Sequence, residues 1–129
     1  MAEVKRTYYE NGALKSECFE INGKKNGEFK RYYGGGQLWE IYSYIDDKMY
    51  GEYKLYYKNG QLNVICFFVD DKENGEYKSY HSNGQLWKIY SYIDGKRNGE
   101  YKSYQDNGQL RSICSFIDDK INGEIQSLS

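Results

Sequence analysis

Three cysteines, one histidine and a recurring Glu–Lys pair are the side chains through which this 129-residue chain could do chemistry. Cys18, Cys66 and Cys114 could bind a soft metal, pair as a disulfide or act as nucleophiles. They occupy one recurring position, 48 residues apart. In a sheet of short hairpins that spacing is about four strands, or roughly 19 Å, whereas a disulfide needs Cα atoms within about 7 Å. Pairing within the chain is therefore excluded. His81 has no cysteine close to it in sequence, so no metal site is read. Glu52 and Lys54, like their copies, sit two residues apart and so share one face of a strand. Such a pair makes a solvated surface ladder sooner than a general acid and base. Gly34-Gly35-Gly36 has the flexibility of a phosphate cradle, but no helix follows to supply the N–H groups that hold an anion. Almost every polar residue recurs with the repeat, so no nucleophile, base and orienting group are gathered in one place. The chain reads as non-enzymatic, with no catalytic residue, cofactor or metal.

Recognition chemistry is better supplied. Tyr32, Tyr56, Tyr80 and Tyr104 are predicted to form a ladder on the same face as Trp39 and Trp87, and Tyr and Trp dominate interface energetics. The tryptophan position reads Lys15, Trp39, Asn63, Trp87, Arg111 along the chain, which a position used only for packing would not tolerate. These aromatics are the candidate partner-binding residues.

The elements that must position them follow from a 24-residue period. Gly12, Gly36, Gly60, Gly84 and Gly108 mark one turn of each unit. Gly27, Gly51, Gly75, Gly99 and Gly123 are read as marking the other. Leu14, Leu38, Leu62, Leu86 and Leu110 recur between them, as do Lys24, Lys48, Lys72, Lys96 and Lys120. A fixed period of this length signals a stacked repeat fold. Asn59-Gly60 suits a two-residue type I′ turn, which would pair Lys58 with Gln61 and Tyr57 with Leu62. Tyr53, Leu55, Tyr57, Leu62, Val64, Cys66 and Phe68 would then share one face, with Glu52, Lys54, Tyr56, Asn63, Ile65 and Phe67 on the other. The predicted fold is all-β: an elongated, single-layer antiparallel meander of tandem hairpins with about ten strands. It forms one domain, 1–129, with units at about 3–26, 27–50, 51–74, 75–98 and 99–122 and a terminal strand at 123–129. Unit one carries Glu17 and Glu20 where later units carry Ile and an aromatic, as a cap over an open sheet edge would.

Net charge is −1, from 18 basic and 19 acidic residues, which gives no footprint for nucleic acid. The lysine row could face a membrane, but Asp46-Asp47, Asp70-Asp71, Asp94 and Asp118-Asp119 precede it and neutralise it locally, so membrane binding is disfavoured. The first residues lead into Tyr8-Tyr9 without an apolar signal core, and the chain is expected to be soluble and cytoplasmic. Self-association end to end through the sheet edges stays open.

The stretches Gly-Lys-Lys-Asn-Gly-Glu-Phe (23–29) and Gly-Lys-Arg-Asn-Gly-Glu-Tyr (95–101), followed by Tyr and then Asn-Gly-Gln-Leu, resemble the MORN repeat in its bacterial variant. The resemblance covers nearly the whole chain. It implies a meander of β-hairpins and a role in protein scaffolding or self-association, with phospholipid binding as another role met among such repeats. Proteins of the variant type are often labelled antitoxin components of toxin–antitoxin systems. The expectation is a scaffold that binds a partner protein through an aromatic sheet face, an antitoxin or immunity component being one form of it. A peripheral phospholipid-binding organiser and a carbohydrate-binding surface are the alternatives.

Overall fold

The computed structural model describes residues 1–127, and among them every regular element is a strand. In order they are β1 (Ala2–Tyr8), β2 (Leu14–Ile21), β3 (Lys24–Tyr32), β4 (Leu38–Ile45), β5 (Lys48–Met49), β6 (Gly51–Tyr56) and β7 (Leu62–Val69). There follow β8 (Lys72–Glu73), β9 (Gly75–Tyr80), β10 (Leu86–Ile93), β11 (Lys96–Tyr104), β12 (Leu110–Ile117), β13 (Lys120–Ile121) and β14 (Gln126–Ser127). All 14 belong to one sheet, and the order along it is the order in the chain. Short loops between neighbours leave an antiparallel meander as the natural topology. Of the expected terminal strand, Gln126 and Ser127 pair with β12, while residues 128 and 129 lie outside the described residues.

The surplus over ten strands has a local cause. Gly27, Gly51, Gly75, Gly99 and Gly123 do not mark turns. They are bulge positions, with φ between +90° and +96°, where the strand gains residues its partner lacks. Cys18 faces Phe29 and Glu20 faces Lys25, so three residues of β3 oppose one of β2. Where the bulge breaks pairing, a strand splits in two, as β5 and β6 do. The second turn of each unit is instead the dipeptide at 22–23, 46–47, 70–71, 94–95 and 118–119. Both residues there have positive φ, for example Asp46 at 46° and Asp47 at 69°. That is the type I′ geometry, and Asp and Asn tolerate it because their short polar side chains bond locally.

The turn at Asn59-Gly60 is of a different kind from the one expected. Gly60 N–H donates to Tyr57 O at 3.0 Å and Tyr57 N–H to Gln61 O at 2.9 Å, closing a three-residue loop with only Gly60 at positive φ. Asn59 contributes through its side chain, since its Oδ1 accepts from Gln61 N–H at 2.9 Å. Tyr56 therefore faces Leu62, and Leu55 faces Val64, leaving Asn63 as an extra residue. A slip of one residue exchanges faces. Leu62 thus belongs with Tyr56, Ile65 and Phe67 and not with Tyr53 and Cys66.

Among the described residues no second layer covers either face, and no large side chain is completely buried. What burial exists is a strip across one face: Cys18, Cys66, Cys114 and Phe116, with Ser79 and Ser103. Units are tied by contacts to the next unit, as in other stacked repeats. Along one border Tyr9 donates to Tyr32 O and Tyr33 to Tyr56 O, both at 2.6 Å, and Tyr57 to Tyr80 O at 2.5 Å; His81 Nε2 lies 2.8 Å from Tyr104 O. Along the other border Lys25 N–H donates to Asp47 Oδ1 at 2.7 Å and Asp47 N–H to Lys25 O at 3.0 Å. The same pair of hydrogen bonds joins Met49 to Asp71 and Arg97 to Asp119.

Candidate partner-binding face

The two faces differ in chemistry because alternation along each strand sorts the repeat. One carries Tyr32, Tyr56, Tyr80 and Tyr104 facing the leucine series, with isoleucines and ion pairs between. Glu28–Lys30, Glu52–Lys54, Glu76–Lys78 and Glu100–Lys102 pair there at 3.1–3.2 Å, all substantially solvated, so the Glu–Lys positions form the expected surface ladder.

The other face is aromatic. Its central row runs Cys18, Phe29, Tyr42, Tyr53, Cys66, Tyr77, Tyr90, Tyr101, Cys114. Rings come in threes: Phe29–Tyr42 and Tyr42–Tyr53 have centroids 4.9 and 5.4 Å apart, and Tyr77–Tyr90 and Tyr90–Tyr101 are 4.5 and 5.3 Å apart. A buried thiol bounds each triad, a small residue among large ones. Burial raises the hydroxyl pKa of Tyr42, Tyr53, Tyr77 and Tyr90, and it pushes the Cys66 thiol up to about 12. All three cysteines are free, as their spacing required.

Trp39 and Trp87 lie on this aromatic face, toward the border of Asn-Gly turns. Trp39 stacks on Tyr33 at 5.0 Å and Trp87 on His81 at 5.0 Å. Arg31 sits 5.4 Å above the Trp39 ring, and Lys88 sits 4.5 Å above Trp87. The expected grouping with Tyr32, Tyr56, Tyr80 and Tyr104 is corrected here: those tyrosines are on the opposite face. Tyr32 faces Leu38, but Arg31 faces Glu40, so Trp39 is the inserted residue of a bulge and returns to the side of Arg31 and Tyr33. The tyrosines that do accompany the tryptophans, Tyr33 and those of the central row, were not singled out in the sequence. Their signal was available in Tyr33 and His81, which stand just before the turn and six residues ahead of each tryptophan.

The rings of this face are half-buried, and its charges are unevenly placed. In unit two Glu40 lies 3.7 Å from Arg31 and accepts a hydrogen bond from the Tyr53 hydroxyl. In unit four the corresponding positions hold Lys88, Ser79 and Tyr101. Among the described residues no group of three or more metal-ligating side chains converges.

No curated protein matches the chain. The MORN repeat variant profile matches five times, at residues 4–19, 25–46, 49–70, 73–94 and 97–118, in step with the hairpins of the sheet. The chain therefore belongs to the MORN repeat variant family.

Proposed function

We propose that the protein is a non-enzymatic repeat scaffold that binds a partner protein through its aromatic face. The observation that carries this reading is the uncovered pair of ring triads flanked by Trp39 and Trp87 on a single-layer sheet. Aromatic side chains give large contact area at small entropic cost, and interface hot spots are enriched in them. The variable position that reads Lys15, Trp39, Asn63, Trp87, Arg111 supports it, since variation on a repeated frame is how such a frame acquires a specific partner. Neutralising a toxin encoded alongside is the narrowest form of the role. The test is affinity capture from the native host with wild-type protein beside Trp39→Ser/Trp87→Ser, both first checked by circular dichroism. A protein retained by wild type and lost from the variant supports the reading, whereas equal retention defeats it.

A second reading, a peripheral membrane organiser, is favoured by one feature of the opposite face. Exposed Ile21, Ile45, Val69, Ile93 and Ile117 stand directly across from Lys24, Lys48, Lys72, Lys96 and Lys120. Aliphatic and ammonium groups side by side suit an anionic bilayer surface, although the aspartates of the adjoining turns oppose it. Under this reading the protein cosediments with phosphatidylserine vesicles in low salt, and replacing the five lysines by glutamine abolishes it.

A further inference from the structure

The aromatic face is not uniform along its length. Toward its C-terminal end it holds a groove of about 680 Å³ whose walls include Trp87, Lys88, Tyr101, Ser103, Gln105 and Arg111. Two departures from the repeat set its chemistry. Gln105 stands where Tyr9, Tyr33, Tyr57 and His81 place a ring, so Arg111 has no neighbour of the kind that Trp87 finds in His81. Lys88 replaces the Glu40 of unit two, so the lane contains a cation where the earlier unit has a carboxylate.

Neither Lys88 nor Arg111 has a carboxylate partner among the described residues. Arg6, Arg31 and Arg97 each do, in Glu17, Glu40 and Asp119. Ser79, across the strand pair from Lys88, is 4% exposed, and its Oγ has no hydrogen-bond partner. The groove therefore gathers two cations that have no carboxylate partner among the described residues, a Tyr101 hydroxyl and a tryptophan wall. Unit two displays the complementary arrangement within the same molecule: a carboxylate held between a guanidinium and the tyrosine hydroxyl of the same recurring position.

We propose that this groove seats an acidic segment of the partner protein, one of its carboxylates meeting Lys88, Arg111 and the Tyr101 hydroxyl as Glu40 meets Arg31 and Tyr53. The inference rests on the partner-binding reading above and specifies its chemistry. An extended segment fits because the groove follows an open sheet face. Pairing across a partly desolvated groove is worth more than the same pair in open solvent, and it sets specificity and on-rate as well as affinity.

The experiment is a fluorescence-anisotropy titration with a dye-labelled peptide of alternating Glu and Gly, beside its Gln–Gly and Lys–Gly counterparts and a DNA oligomer of similar length. The Glu peptide is expected to bind about tenfold or more tightly than the Gln peptide and to weaken with salt. Lys88→Glu/Arg111→Glu should abolish that binding and confer binding of the Lys peptide, while Lys78→Glu on the opposite face leaves it unchanged. Equal affinity for Glu and Gln peptides, indifference to the double reversal, or DNA binding as tight as the Glu peptide would each overturn the proposal. In host capture, a partner lost from Trp39→Ser/Trp87→Ser but kept by Lys88→Glu/Arg111→Glu overturns the acidic-segment inference alone. A partner kept by both overturns the aromatic face as well.

Discussion

Glycine and cysteine carry most of what single residues decide here. Gly60 closes a hairpin at φ +89° and Gly51 opens a bulge at φ +96°, both in conformations that a side chain disfavours. The need for glycine is the same at the two places, so the period is legible in sequence but the distinction between turn and bulge is not. The true second turn is written in Asp46-Asp47 and its copies, where aspartate tolerates positive φ and hides the turn from a search for glycine. Cysteine spacing, by contrast, was fully informative, because four strands cannot be bridged whatever the details of register. Cys66 is 3% exposed with its thiol pushed up to about 12, so it stays protonated and covered at neutral pH. Iodoacetamide at pH 8 should leave Cys66 unmodified in the native protein over a period in which it is fully modified in urea. Labelling of native Cys66 at the denatured rate would show that the aromatic row does not pack as described.

At the scale of the element, the hairpins are fastened to one another by the outer turns. Asp47, Asp71 and Asp119 each accept a backbone N–H from the preceding unit, at 2.7, 2.7 and 2.8 Å. Unit four has Gly95 in that position, so Glu73 N–H lacks the side-chain acceptor its counterparts enjoy, although Gly95 N–H still reaches Glu73 O at 2.8 Å. A Cβ at Gly95 meets only Lys72, at 3.7 Å or beyond, and φ there is +81°, near the values its aspartate counterparts adopt. Gly95→Asp is expected to stabilise the fold by about 0.5–1 kcal/mol in urea denaturation; a loss of stability would mean that the backbone strain outweighs the bond. Hydrogen bonds from the Arg97 backbone and side chain hold the Asp119 carboxyl below its ordinary value of 3.8. A depressed folded-state pKa means stability that is present above the unfolded value and is lost as pH falls through the folded one. The stability difference between wild type and Asp119→Ala should accordingly be constant at neutral pH and shrink below about pH 4. A difference that grows on acidification would reverse the sign and the assignment. Trp39 is an inserted residue, and strict alternation through it places Tyr32 and Trp39 together when the bulge separates them.

For the whole molecule, the open single-layer sheet with no covering helix was readable from composition and period, because short loops and recurring aromatics leave little alternative. The internal order of the aromatic face was not, since it depends on which residues face each other across bulged strands. Its ring triads bounded by cysteines give the molecule a working period of 48 residues, twice the hairpin repeat. Deleting residues 49–96 preserves the sequence of triad and thiol, whereas deleting 49–72 runs Tyr42 into Tyr77 and Tyr90 with no thiol between. The shorter deletion keeps more units, yet it should show the lower urea midpoint and the broader transition. Stability that simply follows the number of units would mean that the triads contribute nothing beyond ordinary strand pairing.

The central claim, that the aromatic face and not its opposite meets the partner, is tested most directly by photo-cross-linking in the native host. A benzophenone side chain would replace Trp87 or Tyr33 on one face and Tyr80 or Ile65 on the other, each variant being folded by circular dichroism. The account predicts one discrete protein adduct from Trp87 and Tyr33 and none from Tyr80 and Ile65. Adducts from Tyr80 and Ile65 alone would place the binding surface on the leucine–isoleucine face and contradict it.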